Sequence, residues 1–304
     1  MKMKTNPSTL TRREFLTRSV STLVLAGAGA ALPAVAATPA KANLRFGLCT
    51  YLWGKDWDIS ALIANCQKAG LGGVEPRTSM KFAHGIELTL SQAQRAEVKK
   101  RFADSPVQIV SLACGERMDW PEPEQLKTAI ETAKAYLQLS RDIGCKVLRV
   151  FPNQFHPAVS HEKTIAQIAR ALNELGAFAA GLGQEVSLEA HGPAGELTTM
   201  RAIMDQVTRR NVRVRLNCDH RDTEGAGFAA NFNLVKDRLS RIVHLHDLKD
   251  EKYPYQLMVD LLAKNKWDGW ALAELEETPP PDRVAALIEQ RRLWESMVEK
   301  ATAK

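Results

Sequence analysis

The stretch EVSLEAHGPAGELTTMRAIMDQVTRRNVRVRLNCDH, residues 185–220, decides the fold. It opens with Val186 and Leu188 alternating with Ser187, Glu189 and His191, which is the period of a strand. A helical pattern, ELTTMRAIMDQVTRR (196–210), follows. A second alternating run, VRVRLNCDH (212–220), then sets Val214, Leu216 and Cys218 against Arg215, Asn217 and Asp219. Strand, helix and strand in this order make a parallel crossover unit.

The unit repeats in both directions. Upstream, NLRFGLCTY (43–51), GGVEP (72–76), VQIVSLA (107–113) and KVLRVFP (146–152) read as strands. The segments after them, 58–70, 90–103 with Ser91 as N-cap, 123–144 and 161–183, read as helices. Downstream, RIVHLHD (241–247) and DGWALAELEE (268–277) are strands, with helices over 231–239, 255–265 and 282–300. Eight strand–helix pairs in about 260 residues match a single-domain (β/α)8 TIM barrel, an α/β fold, over residues 43–304. A doubly wound open sheet is the alternative. No glycine-rich dinucleotide fingerprint or phosphate loop follows the first strand, which counts against it.

Residues 1–42 stand apart. TRREFLT (11–17) precedes the apolar run SVSTLVLAGAGAALPAVAA (19–37) and then small residues, the order of a secretory signal. Arg12 and Arg13 followed by Phe15 and Leu16 resemble a bacterial twin-arginine signal, with Thr17 where a Lys often closes the pattern. Cleavage after Ala36 or Ala42 and a periplasmic mature protein are expected. The apolar run is short and rich in Gly and Ala, so no membrane span is expected to remain. This segment carries Lys2, Lys4, Arg12, Arg13, Arg18 and Lys41 against Glu14 alone, hence +5 of the chain's +6. A remainder near +1 gives no basic surface for nucleic acid. The five cysteines are scattered and odd in number, without a zinc-type pair or a complete disulfide framework.

Polar residues gather at the strand ends, where a barrel of this kind places its active site. Glu189 and His191 end the fifth strand, Asn217 and Asp219 the sixth, and His220 follows. His244 and His246 lie on the seventh strand; Glu274 and Glu276 on the eighth. In each strand the apolar residues take one parity and the acids or imidazoles the other, so four consecutive strands aim polar groups at the barrel axis. Acids converging in a low-dielectric mouth repel one another unless a cation neutralises them, and a divalent metal is the simplest remedy. Read singly, Glu189 serves equally as an ion pair with Arg149 or Arg215, His191 and His220 as hydrogen-bonded structural histidines, and Glu276 and Glu277 as solvated acids.

The stretches GLGGVEPR (70–77), HGIEL (84–88), VLRVFPN (147–153), VSLEAHG (186–192), LNCD (216–219), VHLHD (243–247) and DGWALAELE (268–276) together resemble the sugar phosphate isomerase/epimerase family of xylose isomerase-like barrels. The resemblance implies one divalent ion (Mn, Mg, Co or Zn) held by Glu189, Asp219, His244 and Glu274. His246 is the alternative to His244, which is preferred because Asp247 follows it at the family's offset of three. It implies proton transfer beside a carbonyl through a metal-stabilised enediolate, with Glu189 and Glu274 as base and acid. His191, Arg149, His84 and Lys249 would contact substrate. Asp222 stands where many relatives carry a His after the strand-six Asp, and the extra histidines of the nuclease branch are missing. Export points to a small neutral sugar, keto-sugar or glycoside rather than a sugar phosphate. The expected activity is therefore a sugar isomerase or epimerase. A lyase eliminating across a 3-keto-glycoside and a non-catalytic periplasmic carbohydrate-binding barrel are the alternatives, and oligomeric state is left open.

Overall fold

The structure is a computed structural model that describes residues 42–275 and 278–303. The signal segment therefore lies outside the described residues, as do Glu276 and Glu277. Among the described residues eight parallel strands alternate with eight α-helices. The strands are β1 (Asn43–Cys49), β2 (Gly73–Glu75), β3 in two pieces (Gln108–Ile109 and Leu112–Arg117), β4 (Val147–Phe151), β5 (Glu185–Glu189), β6 (Val212–Arg215), β7 (Ile242–Leu245) and β8 (Asp268–Ala273). The helices are α1 (Ile59–Ala69), α2 (Gln92–Ala103), α3 (Pro123–Asp142), α4 (His161–Gly181), α5 (Leu197–Gln206), α6 (Phe228–Val235), α7 (Tyr255–Lys264) and α8 (Arg283–Thr302). Ser91 caps α2 as its sequence predicts, in a reciprocal box with Gln94.

The sheet closes on itself. Strand β1 pairs with β2 on one side and with β8 on the other, and β8 continues to β7. The first piece of β3 pairs with β2 and the second with β4, so the break in β3 hands the sheet on without interrupting it. The circuit is completed between β6 and β7, where Ser240 N donates to Val214 O (2.7 Å) and His244 N to Leu216 O (2.9 Å). An open doubly wound sheet is thereby excluded.

Strand parity sorts the side chains as expected. Leu48, Val74, Val186, Leu188, Val214, Leu216, Val243 and Leu245 face the helices and lie in the main core. Inside the barrel, Cys49, Val147, Ile242 and Leu272 form a small apolar cluster. Gly47 on β1 lets β2 and β8 approach: a Cβ there would sit 2.4 Å from Gly73 O and 2.7 Å from Leu272 Cδ2. The residues one pleat above this cluster are almost all polar.

Candidate active site

Glu75 of β2, Arg149 of β4, Glu189 of β5, Arg215 of β6, His244 of β7 and Glu274, one residue past β8, share the inward parity. Each is buried, none more than 4% exposed. His244 is the hub. Its Nδ1 lies 3.1 Å from Glu189 Oε2 and 2.9 Å from Glu274 Oε2, while its Nε2 lies 2.6 Å from Glu75 Oε1. The imidazole that the parity of VHLHD aims at the axis is thus in contact with acids from three other strands.

The chain itself neutralises much of that acidity, which corrects the expectation that converging acids stand unpaired. Arg215 Nη1 meets Glu75 at 2.5 Å, Arg149 Nε meets Glu189 at 3.3 Å, and Arg77 Nη1 meets Glu274 Oε1 at 2.9 Å. The sequence alternative of Glu189 as an Arg149 ion pair is present within the site rather than instead of it. Two of these guanidinium groups also lie over aromatic rings, Arg77 over Tyr51 and Arg149 over Phe151.

Burial raises the pKa of each carboxylate, yet the cations win. Arg215, His244 and Arg149 hold Glu75 well below the ordinary carboxylate range. Arg149 and His244 hold Glu189 down, and His244 and Arg77 do the same for Glu274. Burial opposes the charged form of His244, but Glu274, Glu189 and Glu75 together raise it well above its usual value. Burial, reinforced by Glu274, pushes the Cys49 thiol up to about 12, so it faces Glu274 Oε1 at 3.7 Å as a neutral group.

The donor set suits a divalent cation. One oxygen from each of Glu189 and Glu274 and one nitrogen of His244 lie within 4.8 Å of one another. Glu189 Oε2 and His244 Nδ1 are buried without a hydrogen-bond partner, as are Arg149 Nε and Nη1 and Asn217 Oδ1. Unsatisfied buried atoms are uncommon, and those of Glu189, His244 and Arg149 lie together in this mouth. Two carboxylates and an imidazole fit Mn, Mg, Co or Zn alike.

The remaining expected residues are placed differently. Asp219 stays outside this group: Arg221 grips it through Nε (2.9 Å) and Nη2 (2.6 Å), holding its pKa at about 2. His191 is exposed, its Nδ1 3.0 Å from Asn153 Oδ1 and its ring against Phe151. His246 is half-buried and lies near enough to bear electrostatically on Asp219. His84 is buried with both nitrogens used by its own segment, Nε2 on Arg77 O and Nδ1 accepting from Ile86 N. That leaves no free atom for substrate, which corrects its assignment as a clamp. Lys249 is also corrected: it is exposed and paired with Glu289 of α8 at 2.7 Å. His220 is exposed beside Asp250, and the five cysteines are all free and buried. Sequence reasoning missed Glu75 and Arg77. Only three residues of β2 are extended, too few for alternation to register.

No curated protein matches the sequence. Solved structures of the same fold are numerous. L-ribulose 3-epimerase is 15% identical with a TM-score of 0.71, covering 86% of this chain and 96% of its own. The apo form of 3-keto-D-glucoside 4-epimerase, YcjR, from E. coli is 15% identical with a TM-score of 0.69, covering 84% and 100%. The IOLI protein, whose structure holds a zinc atom, is 15% identical with a TM-score of 0.68, covering 85% and 99%. These likenesses establish the fold. The sequence itself matches the family described as Xylose isomerase-like TIM barrel over residues 63–296. With the closed barrel and its acid–imidazole mouth, that match over most of the chain places this protein in the xylose isomerase-like TIM barrel family.

Proposed function

We propose that this chain is a divalent-metal-dependent isomerase or epimerase acting on a small carbohydrate. The observation that carries the reading is the meeting of Glu189 Oε2 and Glu274 Oε2 on one nitrogen, His244 Nδ1, at 3.1 and 2.9 Å. Glu189, His244 and Glu274 would hold the ion; Asp219, the fourth ligand that the family resemblance implies, would have to leave Arg221 to join them. When bound, a divalent ion supplies Lewis-acid polarisation of adjacent carbonyl and hydroxyl oxygens.

The proton steps belong to the two carboxylates. Both are held ionised, so either accepts a proton from the carbon beside the carbonyl. The carboxylic acid thus formed can return that proton to the same face; inversion needs the other residue to take up a proton from solvent first, deliver it to the opposite face and be left as the carboxylate. Arg149 and His191 stand beside Glu189 as polar contacts for sugar oxygens. The names of the similar structures, an L-ribulose epimerase and a keto-glucoside epimerase, support a carbohydrate. Export, read from residues 1–42, favours a neutral sugar or a keto-glycoside.

The test is incubation of the Mn2+-loaded protein in D2O with free ketoses and with 3-keto-glycosides. Deuterium at the α-carbon without cleavage is expected, falling by about 10²–10⁴ in Glu189→Gln and in Glu274→Gln. Release of an aglycone would replace the reading with a lyase. Ligand binding without exchange, unchanged in both variants, would replace it with a binding protein. Replacing Arg12 and Arg13 together by Lys should retain the protein in the cytoplasm, which cell fractionation checks.

A further inference from the structure

Glu75 lies on the side of His244 turned away from Glu189 and Glu274. Its Oε1 is 2.6 Å from His244 Nε2, and its Oε2 accepts from Arg215 Nη1 at 2.5 Å. Arg215 is pinned in turn, donating through Nε to Ser187 Oγ at 3.1 Å and through Nη2 to Ser111 Oγ at 2.6 Å. Ser111, Ser187, Arg215, Glu75 and His244 are all fully buried. The break in β3 presents Ser111, and the parity of β5 and β6 presents Ser187 and Arg215. Five strands therefore build one polar chain that ends on a single imidazole nitrogen.

The chemistry of that end is restrictive. A carboxylate is acceptor-only, so without an ion both ring nitrogens, each facing carboxylates, carry protons. Only Nδ1, 2.9–3.1 Å from two carboxylates that can share a cation, has a proton that an ion would displace, while Nε2 keeps its 2.6 Å hydrogen bond to Glu75, with Arg215 Nη1 also 3.1 Å away.

We propose that Glu75 is a positioning residue for the metal site, locking His244 with Nε2 protonated and Nδ1 presented to the ion, and that Arg215 holds Glu75 in that pose. The proposal rests on the metal-site reading above and adds to it a residue on β2 that contacts neither substrate nor ion. A buried ion pair that merely filled the barrel would be replaceable by apolar side chains with no effect on ion binding. An orienting pair would not, because outer contacts to a ligating imidazole are worth about 10–100-fold in metal affinity.

The test uses Zn2+ alone as probe. Glu75→Gln strands a buried guanidinium, so the decisive variant combines Glu75→Leu with Arg215→Met. That change removes one charge of each sign, leaves the net charge of the mouth unaltered and keeps the interior filled. Calorimetric titration should show Zn2+ binding about 10–100-fold weaker than in the unaltered chain, with the circular dichroism spectrum unchanged. In ¹⁵N-histidine-labelled, Zn2+-loaded protein, His244 should show a protonated Nε2 and a coordinated Nδ1, assigned by the signals lost in His244→Gln. This measurement needs no Glu75 variant, so it decides the tautomer even if the double variant fails to fold. Affinity within twofold in the folded double variant, or coordination through Nε2, overturns the positioning role while the metal site stands. No Zn2+ binding by the unaltered chain overturns both.

Discussion

At Arg149 a buried guanidinium has two N–H groups, Nε and Nη1, without a hydrogen-bond acceptor, although Nε lies 3.3 Å from Glu189. Its main effect there is electrostatic: against the upward push of burial it is the largest influence holding Glu189 in its charged form. Arg149→Met should therefore let burial dominate and raise the pKa of Glu189. A base that must be ionised is then protonated at higher pH, so the acidic limb of the exchange–pH profile should move upward. A limb that stays in place would show that another group governs it. Glu189, His244 and Glu274 were legible in the sequence because alternation over long strands assigns a face. Glu75 was not, since β2 is three residues long. Nor could the sequence reveal the arginines' partners, as Arg215 meets Glu75 across 140 positions. The hold of Arg221 on Asp219 arises in a 3-10 turn, whose local geometry overrides the strand parity that aimed Asp219 at the axis.

That turn, His220–Thr223, places an acid in the interior. Asp222 is 2% exposed and accepts from Tyr253 Oη at 3.0 Å. Burial pushes its pKa up to about 7, with Asp219 adding to the rise and the Tyr253 hydrogen bond opposing it. Because the folded value lies above the ordinary 3.8, the folded chain binds this proton more tightly than the unfolded one. The contribution is fully present below about pH 4 and is lost as pH rises through 7. By pH 9 the loss amounts to about 4 kcal/mol. Asp222→Asn keeps an acceptor for Tyr253 and never ionises, so its melting temperature should exceed the parent's at pH 8–9 and the gap should close only as pH falls to about 4. Equal melting curves at pH 9 would show that the carboxylate ionises there without penalty. At this scale the sequence located all eight strands, but gave them ragged ends. VQIVSLA reads as one strand, whereas the structure breaks it at Val110–Ser111 and extends it to Arg117. The strands within 185–192 and 212–220 end at Glu189 and Arg215, although Ala190 N and Leu216 O still bond neighbouring strands.

Across the whole barrel, the circuit is thinnest between β6 and β7, where the ladder shrinks to backbone bonds from Ser240 and His244. The candidate ion ligands straddle that seam: Glu189 stands on β5, and His244 and Glu274 stand on β7 and just past β8. An ion shared among them would join the two arcs of the sheet as well as the chemistry, so its binding and the barrel's closure would be linked. At a free ion concentration one hundred times the dissociation constant, the native state gains about 2.7 kcal/mol. For a domain near this size that raises the melting temperature by roughly 5–10 °C. Scanning calorimetry with and without Mn2+ should show this rise, and Glu189→Gln should abolish most of it. Hydrogen exchange should locate it, with the amides of Ser240 and His244 gaining more protection from Mn2+ than those between β1 and β8, where pairing runs from Asn43 to Leu48. A uniform gain in protection would point to an ion that stabilises the fold without bridging the seam, and no gain at either place would leave the acids and arginines of the mouth to neutralise one another unaided.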